Sequence, residues 1–383
     1  MFCFLRKTIP NFGHIIDSTC PALVQLLSVQ NHRLLVRYCN SIASGRHSFT
    51  VSYLIDKCGF SPQEAASASK YVSFESLEKP DSVINFLKNH GFLQSQIFRF
   101  IKEVPQFLRY DPEKNFLPKI EFFISRGVSS SDIPKIICSC PTIMKRSLSK
   151  QLIPSFDFFR GLFQSDDRFI KALRCCSAIL LDINTHAVPN MKLLREIGVP
   201  ESNVIRMLQM FPRALVKNPS GFKMNVEESK EMGFDPSRFH FILALWALSS
   251  LSKSTWEKKV NVYKKWGWSD EDILVAFRRY PIFMKASEDK IDAIMEFLIN
   301  KLGCDASTVT RYPHIFSLSM KRRLIPRGAV IEVLLSKGLV KKKTLPVVFI
   351  YTDSTFLKRF IMNNKKEASE LLNLYKGKLE LAT

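Results

Sequence analysis

The chain has 383 residues and a formal net charge of +21, with 56 Lys and Arg against 35 Asp and Glu. Its longest apolar run, Phe241 to Leu248, is far short of the roughly 18–20 residues of a membrane span, so no membrane partner is expected. The basic excess favours a polyanion as partner.

Residues 1–48 carry five basic residues (Arg6, Lys7, Arg33, Arg37, Arg46) and one acid, Asp17. An acid-poor, arginine-containing, serine-bearing leader reads as an organelle transit peptide, with Arg37-Tyr38-Cys39 suited to processing just after it. The alternative is a disordered or loosely helical N-terminus. A secretory signal fits less well, because the apolar stretches are short and interrupted.

From residue 49 to about 375 the chain is periodic. Gly59, Gly91, Gly127, Gly161, Gly198, Gly233, Gly267, Gly303 and Gly338 are separated by 32 to 37 residues. A period of about 35 residues marks a supersecondary unit that must stack on its neighbours to bury its apolar face. A second mark lies fourteen residues on: Gly91 leads to Pro105, Gly127 to Pro141, Gly198 to Pro212 and Gly267 to Pro281. Pro313 and Pro346 follow shorter spacers, and Ser177, Ala247 and Ser73 stand in the same slot of other units.

The segment before the slot is a predicted helix. Positions −8, −5, −4 and −1 hold Ile97, Phe100, Ile101, Val104; Ile133, Ile136, Ile137, Cys140; Phe169, Ala172, Leu173, Cys176; Val204, Met207, Leu208, Phe211; and Ile273, Ala276, Phe277, Tyr280. That spacing is one helix face. Ser61 to Glu64 and Ser269 to Asp272 are start signals. Proline stops the helix, and the Pro-x-apolar-apolar piece after it suits a tight turn or 3₁₀ segment. A second helix follows, capped at Asp111-Pro112, at Asn218-Pro219 and by a Ser254/Glu257 box. Its apolar face shows in Phe116, Ile120, Phe123, Ile124 and in Ile291, Ile294, Met295, Leu298, and the glycine ends it in a left-handed conformation. The predicted fold is all-α: an α-solenoid of about nine helix–Pro turn–helix repeats forming a curved superhelix, one elongated domain with a short tail at 376–383. Non-proline residues at Ser177 and Ala247 should loosen two turns.

Nine cysteines raise metal or disulfide chemistry. Cys140 and Cys176 fall in the core-facing −1 slot, and no histidine lies close enough in sequence to complete a zinc set. Buried reduced thiols are expected, with no metal and no cofactor. There is no Walker loop, G-x-G-x-x-G, G-x-S-x-G or H-E-x-x-H string, so no catalytic role is expected.

The placement of charge is the functional signal. Position −6 is Arg99, Lys135, Lys171 and Arg206 in four consecutive repeats, and position −3 is Lys102, Arg174 and Arg278. Four residues after the slot come Arg109, Lys145 and Lys285. Stacking would align these into a phosphate-tracking stripe; the alternative is an ordinary solvated helix face. From Arg311 to Lys366 there are 13 basic residues and only Glu332 and Asp353 as acids. Arg311, Lys321-Arg322-Arg323, Arg327, Lys341-Lys342-Lys343, Lys358-Arg359 and Lys365-Lys366 form a second basic region, suited to backbone contacts with little sequence readout. Exposed aromatics are needed for base stacking. Trp256, Trp266 and Trp268 are candidates, with core packing favoured for at least two of them.

The proline followed by apolar residues, the helix pair and the terminal glycine resemble the mitochondrial transcription termination factor (mTERF) family. Further strings carry the likeness: Glu78-Lys79-Pro80-Asp81-Ser82-Val83 before Asn89-His90-Gly91-Phe92, Asp111-Pro112-Glu113-Lys114 before Leu117-Pro118-Lys119, and Ser252-Lys253-Ser254-Thr255-Trp256-Glu257-Lys258-Lys259 before Tyr263-Lys264-Lys265-Trp266-Gly267-Trp268. Together they look like the plant branch. The resemblance implies a curved α-solenoid with a basic groove for nucleic acid and a role in organellar gene expression. Double-stranded DNA and transcription termination or regulation in the mitochondrion, or the chloroplast, come first. RNA maturation such as intron splicing is the alternative, and a non-catalytic protein scaffold is a third reading. A pentatricopeptide solenoid shares the period but lacks the proline turn. The implied partners are nucleic acid and organellar transcription or splicing machinery, with the chain acting as a monomer.

Overall fold

A computed structural model describes residues 45–163, 165–181, 183–341 and 345–381. Residues 1–44, most of the expected leader, lie outside the described residues, as do Lys342 and Lys343. All regular structure among the described residues is helical, and none is strand. They form two compact units, one ending at Leu117 and one beginning at Pro118.

The periodic glycines close helices. Eight of the nine have φ between +67° and +87°. At Gly267 the N–H of Trp268 reaches back to the Tyr263 carbonyl at 3.2 Å, and the Trp268 ring is buried. This is the Schellman arrangement, which satisfies a helix-end carbonyl and turns the next apolar residue into the core. Gly161 departs from the expectation: it lies inside the helix Ile153–Leu162, without positive φ. There the joint is spanned by Arg160, whose two guanidinium nitrogens meet Asp166 at 2.8 and 2.6 Å. Arg195–Glu201 and Lys264–Asp270 span other joints in the same way.

Capping follows local chemistry. Ser61–Glu64 and Ser269–Asp272 form reciprocal boxes, and Asp111 and Asn218 cap helices begun by Pro112 and Pro219. The box expected at Ser254/Glu257 does not form. Ser252 is the cap, accepting from the Thr255 N–H at 3.1 Å.

The proline pieces are 3₁₀ turns at Pro105–Arg109, Pro141–Lys145, Pro281–Lys285 and Pro313–Ser317, and single α-turns at Pro212–Leu215 and Leu345–Val348. Every proline in these turns is buried. The residue before it is forced out of helical geometry, as at Cys140 (φ −158°, ψ 86°) and Tyr280 (φ −155°, ψ 83°).

Ser177 keeps this bend instead of loosening it. Cys176 has φ −160° and ψ 83°, and Ser177–Leu180 is a 3₁₀ turn. The N–H that proline would lack is buried here, and Ser139 Oγ of the preceding repeat accepts it at 2.8 Å. Ser177 Oγ donates to the Ile136 carbonyl at 2.8 Å. Ala247 acts differently: with no proline to stop it, the helix Phe239–Ser249 runs through the slot and no turn forms.

In the second unit the first helices of successive repeats lie side by side: 133–139 against 166–175, then 201–210, 239–249 and 270–279. The −8, −5 and −4 positions are buried in every unit for which they were expected. The −1 position is not uniformly core. Val104 and Cys176 are buried, but Cys140, Phe211 and Tyr280 are half-buried. Among the second-helix residues Ile124 is exposed, while Ile291, Ile294, Met295 and Leu298 are fully buried. The helix Ala368–Glu380 packs on Ile325–Ser336, so the expected tail from residue 376 is helical as far as Glu380.

A second periodic feature joins consecutive repeats. Lys119 Nζ donates to the Met144 carbonyl at 2.7 Å and Lys259 Nζ to the Met284 carbonyl at 2.9 Å. Asn190 Nδ2 donates to the carbonyls of Leu215 and Lys217, both at 2.8 Å. Each donor sits on a second helix, and each first acceptor lies three residues past the next slot proline. Asn225 holds the same place and reaches Ser249 Oγ at 3.0 Å, because no turn follows it. Buried carbonyls at the end of a short turn need a donor, and the preceding repeat supplies it.

Replacing Ser139 by Ala should leave the Ser177 N–H buried and unpaired, costing about 1–3 kcal/mol of stability in denaturant unfolding. Adding Ser177→Pro removes that N–H and should recover most of the loss. A Ser139→Ala variant as stable as the parent would refute this account of the turn.

Candidate nucleic-acid interface

The slot register places the basic residues on the ends and outer faces of the first helices. Arg99, Lys102 and Arg109 belong to the first unit and are exposed. Lys102 pairs with Glu64 there and lies 5.2 Å from the Phe98 ring centroid. That contact, with hydrogen bonds from Ser61, holds the Glu64 carboxyl down at about 2.

Lys135, Lys171, Arg174, Arg206 and Arg278 are all exposed on the side-by-side first helices of the second unit. One acid enters this row. Asp132 receives Lys135 Nζ and Arg174 Nη1, each at 3.1 Å, so it ties neighbouring repeats together. Partial burial works to raise its pKa, but the two cations and Ser129 hold the carboxyl below the usual range. Two cations on one carboxylate leave a net positive charge at that point. The Arg206 guanidinium carbon lies over the Phe239 ring, 3.6 Å from its centroid. Arg278 Nε donates to the Met232 carbonyl at 2.5 Å. Lys145 is exposed at the end of its turn.

Arg327 is corrected. It is fully buried: Nη1 lies 3.1, 3.0 and 2.7 Å from the carbonyls of Val348, Phe349 and Tyr351, and Nη2 lies 2.5 Å from Asp353 Oδ1. It occupies the inter-repeat donor position of Lys119 and Lys259 and cannot reach a surface ligand. Arg323 is half-buried beside it, donating to the Tyr351 carbonyl at 2.5 Å. Arg311, Lys321, Arg322, Lys358 and Arg359 are exposed, and Arg359 stacks over the Tyr351 ring at 4.9 Å.

Sequence reasoning missed an edge of the second unit, where the first helices end. Four consecutive repeats carry half-buried aromatics at the −1 position: Phe211, Trp246, Tyr280 and Tyr312. Phe211 and Trp246 stack with centroids 4.1 Å apart, and Lys285 Nζ lies 5.2 Å from the Trp246 ring centroid. Burial pulls the Lys285 pKa down. Tyr280 and His314 face each other at 4.0 Å. Arg213 and Arg279 cap the carbonyls of Cys175 and Arg311 along the same edge. The change from valine and cysteine to aromatic residues at one repeat position was the available signal. Of the three tryptophans considered, Trp268 is buried, Trp256 packs edge-on against Phe277, and Trp266 Nε1 donates to Asp292 at 2.7 Å.

Among the described cysteines Cys58, Cys138, Cys176 and Cys304 are buried, Cys140 is half-buried and Cys175 is exposed, so not every thiol is a core atom. Burial pushes Cys58 up to about 12 and Cys176 to about 11. Among the described residues no His/Cys/Asp/Glu group could hold a metal ion, and no helix is long and apolar enough to cross a membrane.

The mTERF family model matches residues 84–304 and 247–357. The chain is also similar to the chloroplastic transcription termination factor MTERF8 of Arabidopsis thaliana, 22% identical over 150 residues. Those residues are 39% of this chain and 30% of the relative, so the chain spans under a third of that protein's length.

Substituting Arg327→Met should strip the buried donors while keeping an unbranched apolar stem in the core. The expected loss is about 3 kcal/mol in denaturant unfolding, with no loss of nucleic-acid affinity in the folded variant. Unchanged stability would show that the four contacts do not hold the last repeats together.

Proposed function

This chain belongs to the mTERF family, and on that premise we propose that it is a nucleic-acid-binding factor of organellar gene expression that engages double-stranded DNA to regulate or terminate transcription. One observation carries the reading: the exposed cations of the side-by-side first helices, Lys135, Lys171, Arg174 and Arg206, recur at the repeat spacing, and among the described residues only Asp132 is paired into them. Such a row suits phosphates, which follow one another along a backbone, and releases counterions when they bind. The half-buried aromatic edge favours a second reading, in which the partner is an unpaired RNA strand during transcript maturation.

The name of the Arabidopsis relative places that protein in the chloroplast and in transcription termination. For this chain it supports an organelle, and the plastid over the mitochondrion that the family resemblance put first. A fluorescent protein fused to the C-terminus of the full chain should gather in plastids. Signal confined to mitochondria would reverse that choice, and diffuse cytosolic signal would remove the organelle altogether.

The full chain should bind duplex DNA with an affinity that falls steeply with salt, the log–log slope being about 0.9 per phosphate engaged. Combined Lys135→Glu, Lys171→Glu and Arg206→Glu substitutions should weaken binding and flatten that slope by about 2 to 3. Failure of the parent to bind any nucleic acid at low salt would sink the reading. Unchanged affinity in the triple variant would remove the row from the interface.

A further inference from the structure

Beyond the cationic row, the second unit carries an open pocket of about 490 Å³ lined by Lys290, Ser317, Ser319, Met320, Lys321 and Arg322. Two successive repeats build it. Lys290 comes from the helix Glu288–Glu296, and the others from the turn Pro313–Ser317 and the start of the next helix. Among the described residues no carboxylate is paired with Lys290, Lys321 or Arg322. Three cations therefore share one concavity with two hydroxyl groups. Lys290 is half-buried, and burial pulls its pKa down, so its charge is incompletely hydrated and gains from an anion.

The pocket adjoins the aromatic edge. Ser317 Oγ donates to Tyr280 Oη at 3.2 Å, and Tyr280 faces His314, whose ring is the more exposed of the two. Burial, with help from His240 and Arg279, lowers the His314 pKa and keeps the imidazole neutral near pH 7. The shelf is thus an uncharged aromatic surface beside a cationic concavity.

We propose that this pocket and shelf form a seat for one unpaired nucleotide: its phosphate lies among Lys290, Lys321, Arg322 and the Ser319 hydroxyl, and its base stacks on the Tyr280–His314 pair. The inference rests on the nucleic-acid reading and deepens it. A base in a continuous duplex is covered on both faces and cannot offer one to a shelf, so the seat selects single-stranded nucleic acid over the matching duplex. Ser319 and the cations recognise any phosphate, so inorganic phosphate is the competing source of the same chemistry.

The test uses the full chain, a labelled single-stranded 12-mer, its duplex and an abasic 12-mer of equal charge, with inorganic phosphate as competitor. Lys321→Ala combined with Arg322→Ala should weaken single-strand binding at least tenfold and lower its salt slope by about 1.4, at about 0.7 per phosphate contact. His314→Ala should weaken the intact strand at least fivefold and leave the abasic strand unchanged, because only the base meets that ring. All three positions are exposed, and thermal unfolding confirms that each variant is folded. The seat is overturned if the folded variants bind the single strand as the parent does, or if His314→Ala weakens the abasic strand equally. It is also overturned if millimolar inorganic phosphate displaces the strand completely, since the site would then hold a free anion only. In each of those cases the duplex affinity of the parent still stands or falls separately, through the Lys135, Lys171 and Arg206 substitutions.

Discussion

The carbonyls at the end of the proline turns after Pro141, Pro212, Pro281 and Pro346 are the constraint around which the stacking of these repeats is organised. Proline forces the chain out of the first helix, and the 3₁₀ turn or single α-turn that follows is too short to satisfy its own last acceptors. Those acceptors are buried, so an unmet one would cost more than a typical hydrogen bond contributes. Lys119, Asn190, Lys259 and Arg327 meet them from the preceding repeat. A repeat is thus completed by its neighbour through a directional bond as well as through apolar packing. The direction matters: apolar faces alone tolerate sliding, whereas a second-helix donor bound to the carbonyl three residues past the next slot proline fixes the register of stacking.

The same rule explains how departures from the pattern are absorbed. Ser177 brings back a backbone N–H, and Ser139 accepts it. Ala247 removes the break, the helix runs on, and Asn225 turns to Ser249 Oγ in place of a carbonyl. Gly161 loses the left-handed closure, and Arg160 with Asp166 spans the joint. In each case the backbone polar groups find partners, and the local sequence decides which partner.

Charge in this protein consequently has two destinations. Some basic residues are structural donors buried against carbonyls, as Arg327 and Lys259 are, and they are unavailable to a ligand. Others remain exposed on the first-helix faces or in the pocket around Lys290. Net charge alone does not separate the two, and Arg327 shows why. It lies in the most basic stretch of the chain, follows a proline as Lys119 and Asn190 do, and is wholly buried. The Leu-Pro-Lys, Val-Pro-Asn and Ile-Pro-Arg strings at 117–119, 188–190 and 325–327 carried the signal of that role.

Much was legible from the sequence because backbone stereochemistry is local. Glycine at a helix end, proline after a helix and apolar residues at 3.6-residue spacing are read within one turn of chain, and they determined the repeat, its all-α class and the −8, −5 and −4 core positions. The −1 position was misjudged because periodicity gives a direction around a helix but not what lies opposite. Trp246 meets Phe211 and Lys285 across repeat boundaries, and that encounter decides that the aromatic row stays half-exposed. Likewise, only the stacked repeats bring Lys290 to Lys321 and Arg322, about 30 residues apart in the chain, and send Arg327 inward. Such placements depend on which surfaces of two helices meet, a property of the tertiary packing that no single segment contains.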